Sequence, residues 1–132
     1  MLRLVEYPIT VAETASYQKD ADELLTTEQH DRLRDCLAFH PLQGDEIAGA
    51  GGIRQLFWPF KDKGKERVAQ VIYFYRDLHV PLYLLAIYAE AKPVEFDDSW
   101  RGEMSQLANM LVREHGRGTT PRAAPDSTAK PA

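Results

Sequence analysis

The residues best equipped for chemistry lie between positions 54 and 92. Lys61-Asp-Lys-Gly-Lys-Glu-Arg67 sets three lysines and an arginine within seven residues, next to Trp58 and Phe60. Clustered cations of this kind can hold a phosphate backbone, and neighbouring rings can stack on bases. The bland alternative is a solvated turn whose lysines keep a sheet edge soluble. Val71-Ile-Tyr-Phe-Tyr75 and Leu84-Leu-Ala-Ile-Tyr88 read as sheet core, though a tyrosine on an open face can stack or donate a proton. Gly49-Ala-Gly-Gly52 has the spacing of an anion-cradling loop. It matches no Walker motif and leads into a strand rather than a helix, so a tight run into that strand is the better reading. His30, His40, His79 and His115 are scattered and show no metal-ligand spacing. Cys36, the lone cysteine, falls between Leu33 and Leu37 and reads as a small core residue. No serine, histidine and aspartate arrangement stands out.

The elements that must carry these residues follow from periodicity and punctuation. Leu2 to Tyr7 reads as a short strand stopped by Pro8, and Val11 to Leu25 as a helix using Val11, Ala15, Leu24 and Leu25 for its core. Thr26 with Gln29 three residues on forms a capping box for a second helix. That helix would bury Leu33, Cys36 and Leu37 and end near Phe39-His40, before Pro41. Three strand-like runs come next, Ile53–Phe60, Arg67–Arg76 and Leu82–Ala89, separated by Lys61–Lys65 and Asp77–Pro81. Connections this short require antiparallel neighbours. Trp100 to His115 is helical, with Met104, Leu107, Met110 and Leu111 on one side and Asp97-Asp98 favouring its start. The tail from Gly116 is too poor in core-forming residues to fold. The expected layout is α+β, β-α-α-β-β-β-α over residues 1–115, with a disordered tail over 116–132.

A chain of 132 residues has room for one modest core. At 44% hydrophobic and 27% charged its composition is that of a globular domain. No apolar run is long enough to span a bilayer, the first residues lack a secretory signal, and one cysteine fits a reducing compartment. A cytoplasmic protein without membrane, metal or cofactor is expected. The net charge of −4 argues against a general nucleic-acid coat, yet it is unevenly placed. Residues 1–50 carry four Lys/Arg against ten Asp/Glu, while residues 51–92 carry seven against four.

Four blocks in register give the chain a family likeness: Gly44-Asp-Glu-Ile with Gly49-Ala-Gly-Gly-Ile-Arg-Gln-Leu-Phe-Trp58, Lys63-Gly-Lys65, Val71-Ile-Tyr-Phe-Tyr75, and Tyr83-Leu-Leu-Ala-Ile-Tyr-Ala89. Over about residues 2–112 the sequence resembles the HigB branch of the RelE-like toxins of bacterial type II toxin–antitoxin modules. The resemblance implies a RelE-like fold with an antiparallel sheet. It also implies a ribosome-dependent mRNA endonuclease neutralised by a helix-turn-helix antitoxin. In such RNA cleavage the ribose 2′-OH attacks, and cations stabilise the phosphate charge. The catalytic candidates are Arg54, Lys65, Arg67, Tyr88 and Lys92, and the RNA-binding ones Trp58, Lys61, Lys63 and Tyr73. Of these, Arg54, Trp58, Lys63, Lys65, Tyr73 and Tyr88 match what the resemblance implies, Arg67 and Lys92 stand in for lost basic positions, and Lys61 belongs to the basic hairpin tip.

The chain also departs from the family pattern. Gln55 and Phe57 stand where the pattern has Lys and Arg, Glu66 and Gln70 where it has Arg, and Glu90 where it has Lys. Arg67 and Val68 replace two glycines. These departures imply an alternative: a catalytically degenerate RelE-fold protein that binds an antitoxin or another partner.

Overall fold

The computed structural model describes residues 8–89 and 96–117. In chain order the elements are β1 (Val11–Glu13), α1 (Ala15–Leu24), α2 (Thr27–Phe39), β2 (Asp45–Glu46), β3 (Ile53–Asp62), β4 (Lys65–Phe74), β5 (Leu82–Ala89) and α3 (Asp98–Arg117). They form an α+β fold around one five-stranded sheet in the order β1-β5-β4-β3-β2. The expected meander is present, with β3 antiparallel to β4 and β4 antiparallel to β5. The sheet is nonetheless mixed, because β1 runs parallel to β5. Among the described residues no helix is long and apolar enough to cross a membrane.

The first helix begins later than its apolar pattern suggests. Val11 to Glu13 are a strand, and Thr14 caps α1 by accepting a hydrogen bond from the Tyr17 amide at 3.1 Å. Thr14 also donates its hydroxyl to the Leu85 carbonyl, tying the cap to β5. The helix then buries Tyr17 and Ala21, whereas Ala15 is exposed, contrary to expectation. A strand over residues 2–7 lies outside the described residues. The capping box of Thr26 and Gln29 is present as predicted, and α2 ends at Phe39 before Pro41. Leu33 and Leu37 are buried, while Cys36 is only half-buried. In α3 the Asp97 carboxylate caps the Trp100 amide at 2.8 Å, and Ala108 is the buried centre. Met110, expected in the core, is exposed. Helix α3 also takes in residues 116–117 of the expected tail; the remaining tail lies outside the described residues.

Alternation along the strands divides the core in two. Leu56, Phe60, Ala69, Val71, Tyr73, Leu82, Leu84 and Ile87 pack against α1 and α2. Ile53, Ile72, Phe74 and Leu85 pack on the other face, against Ala108 and its neighbours Trp100, Met104, Leu107 and Leu111 on α3. A bulge between Ile72 and Tyr73 leaves Leu85 as an extra residue in β5 and puts consecutive residues Leu85 and Ala86 on the same, α3-side face.

Turn chemistry sets the register of the central hairpin. The five-residue connection expected at Lys61–Lys65 is tighter, because Asp62 already pairs with Lys65. Only Lys63 and Gly64 form the loop, at φ 53° and 82°. Two positive φ angles give a turn whose twist matches the flanking strands. Lysine is strained there and asparagine is not, so Lys63→Asn should raise stability by about 0.5–1 kcal/mol in urea unfolding.

A second prediction comes from His30, buried at 8% exposure beneath α1. Burial holds its imidazole below the usual range, against the opposing pull of Glu13. The unfolded chain takes up a proton near pH 6.5, where the folded one resists it. Stability should therefore fall as pH drops below about 6.5, and His30→Phe should remove that part of the loss in urea titrations at several pH values.

Candidate functional site

The fixed hairpin register decides which candidate residues meet. Arg54, Trp58, Lys65, Arg67 and Tyr73 project toward the α1/α2 side, following Leu56, Phe60 and Val71. Lys61 and Tyr88 project toward the α3 side, and Lys63 sits in the turn. The candidates are therefore split between two faces. Lys92 lies outside the described residues.

Several candidates already hold the fold together. The Tyr73 hydroxyl accepts from the Gly44 amide at 2.9 Å and donates to the Pro41 carbonyl at 2.8 Å. Arg54 donates through Nη1 to the Gly44 carbonyl at 2.6 Å. Gly44 is required here, because a Cβ would lie 2.5 Å from the Gln55 carbonyl oxygen and 2.9 Å from the Tyr73 ring. Together these groups clamp loop 41–46 against the edge of β3. Tyr73 is fully buried, so it cannot present its ring to a nucleotide, and burial holds its phenol above the usual range. Trp58 is half-buried and packs against the α1/α2-side core. Arg67 pairs with Asp62 at 2.9 Å, with its guanidinium 5.3 Å from the centre of the Phe60 ring. Lys61, Lys63 and Lys65 are exposed around the hairpin tip, Lys61 within 4.0 Å of Glu66.

The Gly49–Gly52 loop turns the chain into β3, as read from its spacing. The Ile47 amide reaches the Ile53 carbonyl at 2.9 Å, and the Tyr75 amide reaches the Gly52 carbonyl at 3.3 Å. Among the described residues no group of three His, Cys, Asp or Glu side chains is placed to hold a metal ion.

The more open sheet surface lies on the α3 side, toward the hairpin tip. Register places Gln55, Phe57, Pro59 and Lys61 there from β3, Glu66, Val68 and Gln70 from β4, and Tyr88 from β5. Gln70 pairs with Phe57 on one side and Tyr88 on the other, and its amide donates to the Gln55 side chain at 3.0 Å. Phe57 and Val68 are 56% and 38% exposed. Tyr88 is half-buried, its phenol held above the usual range by burial and then by Asp20. Gln55, Phe57 and Gln70 are three of the positions where the resembled pattern is basic. Here they form a neutral amide pair, with Gln70 buried at 3% exposure, beside an exposed ring.

A second polar cluster was hidden in the sequence. Glu13, His30 and Arg34 meet where β1 crosses α2, with Nη1 of Arg34 2.5 Å from Glu13 Oε2. Treating residues 11–13 as helix conceals it, since only the strand places Glu13 over α2.

No known protein-family model matches the chain.

The two tyrosines separate structure from surface. Tyr73→Phe should cost about 1–3 kcal/mol in thermal or urea unfolding, because the Gly44 amide and Pro41 carbonyl lose their partner. Tyr88→Phe should cost less than about 0.5 kcal/mol in the same measurement.

Proposed function

We propose that this chain is a RelE/HigB-like protein of the toxin–antitoxin type that works by binding a protein partner rather than by cutting RNA. One observation carries the reading. Positions 55, 57 and 70 are neighbours on the α3-side face of the sheet, where Gln55 and an exposed Phe57 flank a Gln70 buried at 3% exposure. Cleavage through the 2′-OH needs cations aimed at the charge that develops on phosphate. An amide pair and an exposed ring suit protein contact better, since aromatic residues are enriched in interface centres while charges are depleted there. The chain order from β1 to α3 supports a RelE-like fold, with β2 as one short strand more than the expected layout. The partner this reading names is a helix-turn-helix antitoxin.

The hairpin tip favours a second reading. Lys61, Lys63 and Lys65 are exposed there and can follow an RNA backbone, as a ribosome-dependent mRNA endonuclease requires. Inducible expression with mapping of mRNA 5′ ends distinguishes the two. Binding alone predicts normal growth and unaltered ends, and Phe57→Glu should abolish co-purification with a co-expressed antitoxin. Discrete new cuts in translated messages, lost together in the Lys63→Ala, Lys65→Ala, Arg67→Ala triple variant, would establish the nuclease instead.

A further inference from the structure

The junction of β1, α1 and α2 buries polar groups that the fold leaves unmatched. The Glu13 side chain is 8% exposed, and Arg34 binds it together with Asp31. His30 Nε2 faces the same Glu13 Oε2 at 3.5 Å but makes no hydrogen bond among the described residues. The Tyr17 hydroxyl, fully buried beside the His30 ring, has no hydrogen-bond partner among the described residues either. Glu13, Asp22, His30, Asp31 and Arg34 line a cleft of about 320 Å³. With His30 neutral, its walls carry three carboxylates against one guanidinium.

We propose that this cleft binds a primary ammonium or guanidinium group. Arg34 shows that its walls already accept that chemistry, held as it is between Glu13 and Asp31. A ligand ammonium has three N–H donors and no acceptor. Seated beside Glu13, it donates to the carboxylate and, once the His30 ring turns its closed-off Nε2 toward the cleft with the proton on Nδ1, to the imidazole lone pair. Asp22, on the neighbouring turn of α1, supplies a further carboxylate at the rim. An anion is disfavoured by the charge of the walls. A single water needs only about 30 Å³, roughly a tenth of this space.

The test is an NMR titration of the His30 ring protons in the full chain at pH 7.5. Agmatine and putrescine serve as free amines, and N-acetyl-lysinamide and N-acetyl-argininamide stand for a partner's side chains. A saturable shift is expected. Asp22→Asn should weaken binding about threefold, as one exposed charge pair would. His30→Phe, which removes a buried unmatched nitrogen and should keep the fold, should weaken it about tenfold when followed by calorimetry. Binding should also weaken at acid pH, once the His30 imidazole, held below its usual range by burial, takes up a proton and repels the ligand. Binding of the free amines alone assigns a small metabolite as the source, and binding of the capped amino acids assigns a polypeptide side chain. No saturable shift up to about 10 mM, beyond the weak end of specific affinity, would overturn the proposal. Binding unchanged in both variants would overturn it equally.

Discussion

The register of the β3–β4 hairpin is the constraint from which the rest follows. Lys63 and Gly64 close the loop in two residues and so fix Asp62 opposite Lys65. Every pairing up to Ile53 opposite Phe74 then follows. A slip of one residue would turn Leu56, Phe60, Val71 and Tyr73 away from α1 and α2 and bring Gln55, Phe57 and Gln70 into their place. That exchange would set two amides among the core side chains of α1 and α2 and turn those apolar residues away from it, so the apolar pattern enforces the same register as the turn. Sheet faces, and with them any site on those faces, are settled at this level.

With the register fixed, core and site compete for the same side chains. Tyr73 and Arg54 sit at the end of the hairpin where loop 41–46 must be held, and their polar atoms serve Pro41 and Gly44. A buried phenol committed to two backbone partners is a structural group, because freeing it would leave both partners unsatisfied. Arg67 lies over Phe60 and pairs with Asp62, shielding the ring at the hairpin end. The α3 side toward the tip carries less packing load, which leaves Phe57 and Val68 in solvent. Exposed apolar groups beside an amide pair are a surface suited to a partner.

The opposite edge of the sheet shows a different economy. Strand β1 is three residues long, yet its parallel pairing with β5 carries Glu13 over α2. There the carboxylate meets Arg34 and His30 in a setting where an unmatched polar atom is costly. Arg34 is matched, while among the described residues His30 and Tyr17 each keep an atom without a hydrogen-bond partner. The edge therefore holds a polar cleft where further apolar packing would have been the simpler arrangement.

Local signals in the sequence identify the second helix through its capping box, the end of α2, and the three strands of the meander. Each depends on neighbours in the chain: a hydroxyl three residues from its amide, a proline after a helix, alternation within a strand. The resemblance named the residue types to examine. The start of α1 was misread because Val11 fits the apolar period of the helix behind it, and only pairing with β5 makes residues 11–13 a strand. Met110 was misplaced because α3 packs through Ala108, a choice made by the sheet beneath it. The sequence by itself determined an α+β chain with an antiparallel hairpin pair and a basic, aromatic stretch at its centre. Tertiary structure alone decided that the basic candidates divide between two faces, that Tyr73 closes a loop, and that Glu13 meets His30. Those facts rest on contacts between residues far apart in the chain, which no local pattern encodes.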